Sequence, residues 1–329
     1  MKRLLRLLLA LVLAVGAAAA GSAWWFSQWL DRPGPLSETT LVLLPRGEGL
    51  ARIAERLHEA GAVADARLFA LAGWWTSSGP FGHGPALKAG EYAIAAHESP
   101  RAILAQIAAG RVFQRKFTVP EGLSSAEILA LLGKAEAMSG DLPSAAPPEG
   151  SLLPETYNYL HGDSRAEMLR RMGRARDELL QRLWAARDPA LPYADMAQAV
   201  VMASIVEAET PKADERPVVA GVFVNRLRRG MRLQTDPTVI YGITRGLREL
   251  DRPLSRADLA QPTPWNTYVI DGLPPTPINH PGRASLAAAL APAATKYLYF
   301  VADGSGGHLF AETYDQHLRN VAAYRAQQK

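Results

Sequence analysis

The sequence predicts an α+β protein with one N-terminal membrane-spanning helix, a small α/β module and a larger mixed α+β domain. Three observations carry this reading. An uncharged apolar stretch, Leu7 to Phe26, follows the basic residues Lys2, Arg3 and Arg6. Short β-branched runs then interleave with helical periodicity up to about residue 113. Beyond it, a second array of mixed elements surrounds one strongly apolar helix, Met196 to Thr210.

About 20 helical residues rising roughly 1.5 Å each cross the ~30 Å hydrocarbon layer of a bilayer. Residues 1–6 are therefore expected as a cytoplasmic tail and residues 7–26 as a membrane anchor, with the positive charges held inside. Trp24, Trp25 and Trp29 stand where an interfacial aromatic belt belongs. A cleaved signal peptide is the competing reading, because the small residues from Ala17 to Ala23 offer cleavage sites. Length and the tryptophans favour a retained single-pass anchor. Under both readings the rest of the chain lies outside the cytoplasm. Asp31 to Ser37, with two prolines and a glycine, reads as a short linker.

The bulk composition narrows the chemistry. The 329 residues, 48% hydrophobic and 21% charged, suit a folded chain with room for two modest domains. The absence of cysteine excludes disulfides, thiolate metal sites, iron–sulfur clusters and a Cys nucleophile. A net charge of +4, spread along the chain without interleaved aromatics, gives no nucleic-acid groove, so no nucleic acid is expected as a partner.

In the small module, Thr39 to Leu44 reads as a strand, and Leu50, Ile53, Ala54 and Leu57 recur at helical spacing before Gly61. A strand starts at Gly90-Glu91-Tyr92. Ser99-Pro100 opens a helix carrying Ile103, Leu104 and Ile107, which Gly110 closes. This unit resembles a LysM-like module around Pro45 to Leu50, with any small α+β domain as the alternative. Further on, Phe117 to Pro120 reads as a strand, and Ser124 with Glu127 as a capping box before Ile128, Leu129, Leu131 and Leu132. Ala135 to Gly150 reads as a mobile surface loop. Ser164 with Glu167 reads as a second capping box, opening a helix to about Arg187 with Met168, Met172, Ala175 and Leu179 on one face and charge on the other.

No His-Glu-x-x-His, Gly-x-Ser-x-Gly or phosphate-binding glycine loop occurs, and no metal or organic cofactor is expected. Gly304 to His308 follows strand-like residues 297–301 and reads as a hairpin turn. The segment Met196 to Thr210 is uncharged from Ala197 to Val206. At about 100° per residue, Met196, Val200, Ala203 and Glu207 share one apolar stripe, and Glu209 points elsewhere. A carboxylate held against apolar surface has a raised pKa and can donate a proton to a leaving oxygen. Glu207 is therefore the candidate general acid; the alternative is a residue that ends the helix or pairs with an arginine. Asn225 to Tyr241 is rich in hydrogen-bonding groups, including Arg232, Gln234, Thr235, Asp236, Thr238 and Tyr241. Glu155 and Tyr157, and Asn266 and Tyr268, lie in further polar–aromatic mixtures. Such residues suit a sugar groove, and solvated loops share the composition.

Several motifs in one order make the pattern specific. They are LLPETY at 152–157, ASIVEAET at 203–210, VFVNRLRRGMRLQTDPTVIYG at 222–242, NTY at 266–268, GLPP at 272–275, PG with ASL at 281–286, YLYFVADGSGGH at 297–308 and FAETYDQHLRNVAAYR at 310–325. On these the chain resembles the endolytic murein transglycosylase family, also called the YceG-like family, most strongly over residues 150–325. The resemblance implies a LysM-like module over 38–113 and a catalytic domain over 114–329. It implies an inner-membrane enzyme acting on the periplasmic side, which cuts nascent peptidoglycan strands between N-acetylmuramic acid and N-acetylglucosamine to leave 1,6-anhydro ends. It carries the catalytic role onto Glu207, and substrate-binding roles onto Glu155, Tyr157, Asn225, Arg232, Gln234, Asp236, Thr238, Tyr241, Asn266 and Tyr268. Glycan strands, membrane lipid at the anchor and peptidoglycan synthases are the implied partners. A non-catalytic peptidoglycan-binding scaffold and a water-using muramidase are the rival functions. The chain departs from the family at Ala208, where lysine is common, at Trp265, where tyrosine is common, and at Thr276 and His280, where glycine and asparagine are more usual. These departures touch loop-level substrate detail and leave the reaction class untouched.

Overall fold

The computed structural model describes residues 2–77 and 87–327. Of the module expected over 38–113, residues 78–86 lie outside the described residues, as do the chain ends 1 and 328–329. The architecture is mixed helix and strand, and the chain divides into two compact units, residues 1–115 with 159–161 and the remainder.

The first unit begins with α1 (Lys2–Asp31), a helix long and apolar enough to cross a membrane. Its last turn does not stop at the end of the apolar run. Trp29 and Leu30 enter a core formed with Leu44, Leu57, Phe69, Tyr92 and Ile103. Trp29 is thus a packing residue, only 8% exposed, and not part of the expected aromatic belt, whereas Trp24 and Trp25 are exposed. Strand β1 (Thr40–Leu44) pairs antiparallel with β2 (Gly90–Ile94), Thr40 opposite Ile94 and Leu44 opposite Gly90. Between them lie α2 (Leu50–Glu59) and α3 (Ala66–Ser77), the latter not anticipated from the sequence. After β2 comes α4 (Pro100–Ala109), with the Ser99 hydroxyl accepting from the Ala102 amide and Gly110 ending the helix at φ +72°. That left-handed turn is the conformation glycine adopts without a Cβ penalty.

The second unit is built around α7 (Met196–Glu209), whose residues from Ala199 to Val206 are all buried. A helix apolar all round must be enclosed on every side. Here α8 (Arg216–Arg228) and α11 (Arg283–Leu290) pack on it directly, and α6 (Arg165–Ala185) joins the same core against α11. The close fit of α8 uses Gly221, where a Cβ would stand 2.6 Å from the Ala293 carbonyl oxygen. Strands β3 (Arg115–Thr118) and β4 (Thr156–Tyr159) form a second two-stranded sheet. Helix α5 (Ser125–Lys134) opens with the expected Ser124–Glu127 capping box. The short α9 (Asp236–Thr244) and α10 (Arg256–Ala260) follow α8. A hairpin of β5 (Tyr299–Ala302) and β6 (His308–Ala311) precedes α12 (Tyr314–Gln327). Its turn is held by the Asp303 carboxylate, which accepts from the amides of Ser305 and Gly307.

Two local expectations are corrected. Ser164 precedes α6, but its side chain makes no capping bond. Glu167 is engaged instead by Arg170 and Arg174, at 2.7 and 2.6 Å. The segment from Ala135 to Gly150 has no regular helix or strand, yet it is not a free loop. The Arg165 guanidinium donates to the carbonyls of Ala135, Met138 and Gly140, and Met138 is buried.

Candidate active site

The last turn of α7 carries two carboxylates with different surroundings. Glu207 faces inward. One of its oxygens accepts from Arg216 Nη2 at 2.7 Å and the other from the Gly282 amide at 2.9 Å. Its side chain is 4% exposed and that of Arg216 7%. Arg216 also holds Glu121 at 2.9 Å. Gly282 precedes α11, and a Cβ there would collide with the Glu121 carboxylate, so glycine is required for this approach. Burial pushes the Glu207 pKa upward, against the Gly282 amide and the Arg216 charge. With both oxygens engaged, this carboxylate is tied into the core. Glu207 thus has an arginine partner and also the raised pKa expected of a general acid.

Glu209 lines a cavity of about 480 Å³ together with Arg226, Gln234, Asp236, Tyr268 and Tyr299. Glu207 is not among the residues lining it. The Thr235 hydroxyl donates to Glu209, and the Tyr268 hydroxyl donates to Asp236 at 2.6 Å. Burial raises the Glu209 pKa above the usual carboxylate range, and the neighbouring Asp236 charge pushes the same way. Gln234 sits at φ +52°, with its amide donating to the Thr267 carbonyl. Such a backbone is uncommon for a residue with a side chain and persists only where the surroundings fix it. Arg226 supplies that fixing from within the core. It donates to the carbonyls of Leu298 and Leu233, at 2.6 and 2.8 Å, and to Gln234 Oε1 at 3.3 Å. The cavity thus offers a carboxylic acid, a second carboxylate, an amide and phenols on a rigid frame.

The cavity at Glu209 gathers part of the polar set expected around Glu207. Of the expected lining residues, Gln234, Asp236 and Tyr268 are brought together there. The others are placed elsewhere or serve the scaffold. Glu155 pairs with Arg283 at 2.6 Å. Tyr157 is buried and donates to the Leu153 carbonyl. Asn225 donates to the carbonyls of Thr295 and Tyr297, holding the approach to β5. Asn266 is fully buried and ties three carbonyls of α10 and its exit, those of Asp258, Leu259 and Gln261. Thr238 is buried against Thr235 and Thr267. Arg232 is on the surface with Asp271. Tyr241 packs on Trp265, ring centroids 5.7 Å apart. Glu209, named from the sequence only as pointing away from Glu207, lines this cavity with Arg226 and Tyr299, which were not singled out. The signal available for Glu209 was its place in the same motif as Glu207.

The comparisons with known proteins now decide the family. The YceG-like family matches residues 42–323 of the chain. The chain belongs to the YceG-like family. Among YceG-like relatives, an endolytic murein transglycosylase of Bacillus subtilis is 35% identical over 179 residues, covering 54% of this chain and 48% of that protein. One from Streptococcus pneumoniae is 35% identical over 133 residues, 39% of this chain and 23% of that protein. The chain thus spans about half or less of these relatives' length. A crystal structure of a YceG-like protein from Listeria monocytogenes aligns over 86% of this chain and 99% of its own, at 26% identity and a TM-score of 0.52.

Around the YceG-like motifs, a buried cluster holds the loop between GLPP and α11 in place. His280, fully buried, accepts from the Leu152 amide at Nδ1 (3.1 Å). A neutral imidazole then carries its proton on Nε2, which meets Ser125 Oγ at 2.8 Å and Glu149 at 3.5 Å. This tautomer leaves no basic nitrogen toward Ser125, so the Ser–His–Glu arrangement is structural and not a nucleophilic triad. Burial lowers the His280 pKa to about 4 and raises that of Glu149 to about 7. The linkage signs oppose each other. The unfolded chain binds the extra proton at His280, so its contribution is lost as pH falls from 6.5 to about 4. The native state binds the extra proton at Glu149, so its contribution is lost as pH rises from 4.5 to about 7. Glu149→Gln removes only the second effect. Its stability relative to the parent should therefore rise with pH between 4.5 and about 7 in denaturation followed by circular dichroism. A pH-independent difference would mean that Glu149 does not titrate in this range.

Proposed function

We propose that this chain is an endolytic peptidoglycan lytic transglycosylase. It cleaves glycan strands between N-acetylmuramic acid and N-acetylglucosamine and leaves 1,6-anhydro-muramyl ends. The observation that carries the reading is a carboxylic acid of raised pKa, Glu209, lining a polar–aromatic cavity in a YceG-like chain. The curated relatives carry the name endolytic murein transglycosylase, which supports the same substrate.

Glu209, protonated, gives its proton to the glycosidic oxygen as the bond from that oxygen to C1 breaks. The departing sugar leaves as an alcohol, and positive charge develops at C1. The 6-hydroxyl of the same muramyl residue then attacks C1, and its proton returns to Glu209. No water is consumed, and the carboxylic acid is regenerated. Asp236, whose charge favours a protonated Glu209, separates the two carboxyls into distinct roles. Glu207, to which the family resemblance carries the acid role and whose pKa burial also raises, is the competing candidate.

The remaining assignments follow from this function. Residues 7–26 act as a single-pass inner-membrane anchor with the catalytic part on the periplasmic side. Residues 38–113 act as a LysM-like glycan-binding module, supported by a unit with its own core. Residues 114–329 form the catalytic domain. Peptidoglycan synthases at the same membrane surface are the expected protein partners.

A second reading has one observation in its favour. Asp236 and Glu209 line the same cavity, and a water-using muramidase needs a second carboxylate. Mass spectrometry of strands digested by the full-length protein separates the functions. Fragments ending in anhydro-muramic acid are the expected result. Ends heavier by one water would establish hydrolysis, and intact strands would leave a binding protein.

A further inference from the structure

Helix α3 presents apolar side chains on both sides. Phe69 and Ala72 are buried in the core of the first unit. Leu71, Trp74 and Trp75 face outward at 46%, 44% and 49% exposure. A helix apolar all round is either enclosed by protein or set in an apolar medium. Trp74 and Trp75 touch edge to face, their ring centroids 6.3 Å apart. On α1, Trp24 and Trp25 are also exposed.

The position of this face is fixed by α1. Leu68 and Leu71 share a cleft with Ala18, Gly21, Ser22, Trp25 and Phe26, a stripe along α1. From residue 18 to residue 26 a helix rises about 12 Å. If the span occupies residues 7–26, that stripe is its last ~12 Å before the aqueous side. Tryptophan concentrates at this depth, where the ring is apolar and the indole N–H reaches the headgroups. Exposed Arg67, one turn before Leu71, suits anionic headgroups, while the nearby Asp65 carboxylate accepts from the Arg67 and Leu68 amides at the helix start.

We propose that α3 is a second membrane contact, lying in the lipid–water interface alongside the outer end of α1 through Leu68, Leu71, Trp74 and Trp75. Together with Trp29 and Leu30 in the core, it fixes the first unit against the bilayer surface rather than on a free tether. The inference rests on α1 as a retained span, and the test separates the two. The chain lacks cysteine, so single spin labels are placed cleanly. Full-length Leu71→Cys, Val12→Cys and Glu55→Cys proteins are labelled and reconstituted in phosphatidylethanolamine–phosphatidylglycerol vesicles. Collision of each label with oxygen and with a water-soluble nickel complex is read by electron paramagnetic resonance. The label at Leu71 should favour oxygen over nickel, as at Val12, while that at Glu55, on the exposed face of α2, favours nickel. A Leu71 label that behaves like Glu55 while Val12 remains in lipid overturns the proposal and leaves the anchor intact. Shielding of the Leu71 label from both reagents, with spin–spin broadening, also overturns it by placing a second copy on this face. A Val12 label open to nickel overturns the anchor reading itself, and the proposal with it.

Discussion

Under the proposed mechanism, Glu209→Gln should lower strand cleavage by about 10²–10⁴-fold or more and leave the fold intact. The amide keeps the size of the carboxyl and can still accept the Thr235 hydroxyl, so the frame around the cavity survives. What it loses is the transferable proton. Glu207→Gln has the opposite signature. Its carboxylate lies between two donors, Arg216 and the Gly282 amide, and an amide side chain can accept from only one of them with oxygen. The variant should lose stability by about 1–3 kcal/mol through the unsatisfied partner, while the folded fraction retains turnover. Release of soluble anhydro-muramyl fragments, normalised to folded protein by circular dichroism, reads both. Turnover by folded Glu209→Gln with none from folded Glu207→Gln would return the acid role to Glu207. The pH profile adds an independent sign. With Glu209 as the acid, cleavage should fail as pH rises through its raised pKa. Asp236→Asn removes a nearby negative charge that favours the proton, so the alkaline limb should move to lower pH.

The contrast between these two glutamates shows where sequence reasoning reached and where it stopped. Local signals carried well. The Ser99 cap and Gly110 stop of α4, the Ser124–Glu127 box of α5 and the enclosed α7 are set by neighbours in sequence. Helical angle likewise separated Glu207 from Glu209 correctly. It could not say which face meets the cavity, because that depends on Thr235, Asp236 and Tyr268, which arrive from other segments. Burial raises the pKa of both carboxyls, so burial alone does not choose between them. The Glu207 side chain, 4% exposed, is paired by Arg216 from the next helix. Glu167 failed for a related reason: the capping pattern was present, but two arginines one and two turns along the helix compete for the same carboxylate. Asn266 and Thr238, chosen for their hydrogen-bonding capacity, satisfy buried backbone and hydroxyl groups, a demand invisible in composition.

Arg216→Leu should be the most destabilising single change around α7. The guanidinium is 7% exposed and joins Glu207 on α7 to Glu121, while Glu207 also meets the Gly282 amide before α11. Leucine leaves the Glu207 carboxylate buried with only the Gly282 amide of these two donors. Breaking one partner of a buried pair typically costs about 3–5 kcal/mol, because the remaining charge is uncompensated. Loss of the positive neighbour also raises the Glu207 pKa further. A folded-state pKa above the unfolded value gives a contribution that is present at low pH and lost as pH rises through it. The Arg216→Leu deficit should therefore shrink on acidification, as Glu207 takes up a proton. Adding Glu207→Gln removes the orphaned charge, so the double variant should be more stable at neutral pH than Arg216→Leu alone. Urea denaturation of the four proteins of this cycle, at neutral and acid pH, measures each quantity. A double variant no more stable than Arg216→Leu would mean that the arginine acts through packing and Glu121 rather than through Glu207. Glu207 would then be free of the structural duty assigned to it, and its candidacy as the acid would gain accordingly.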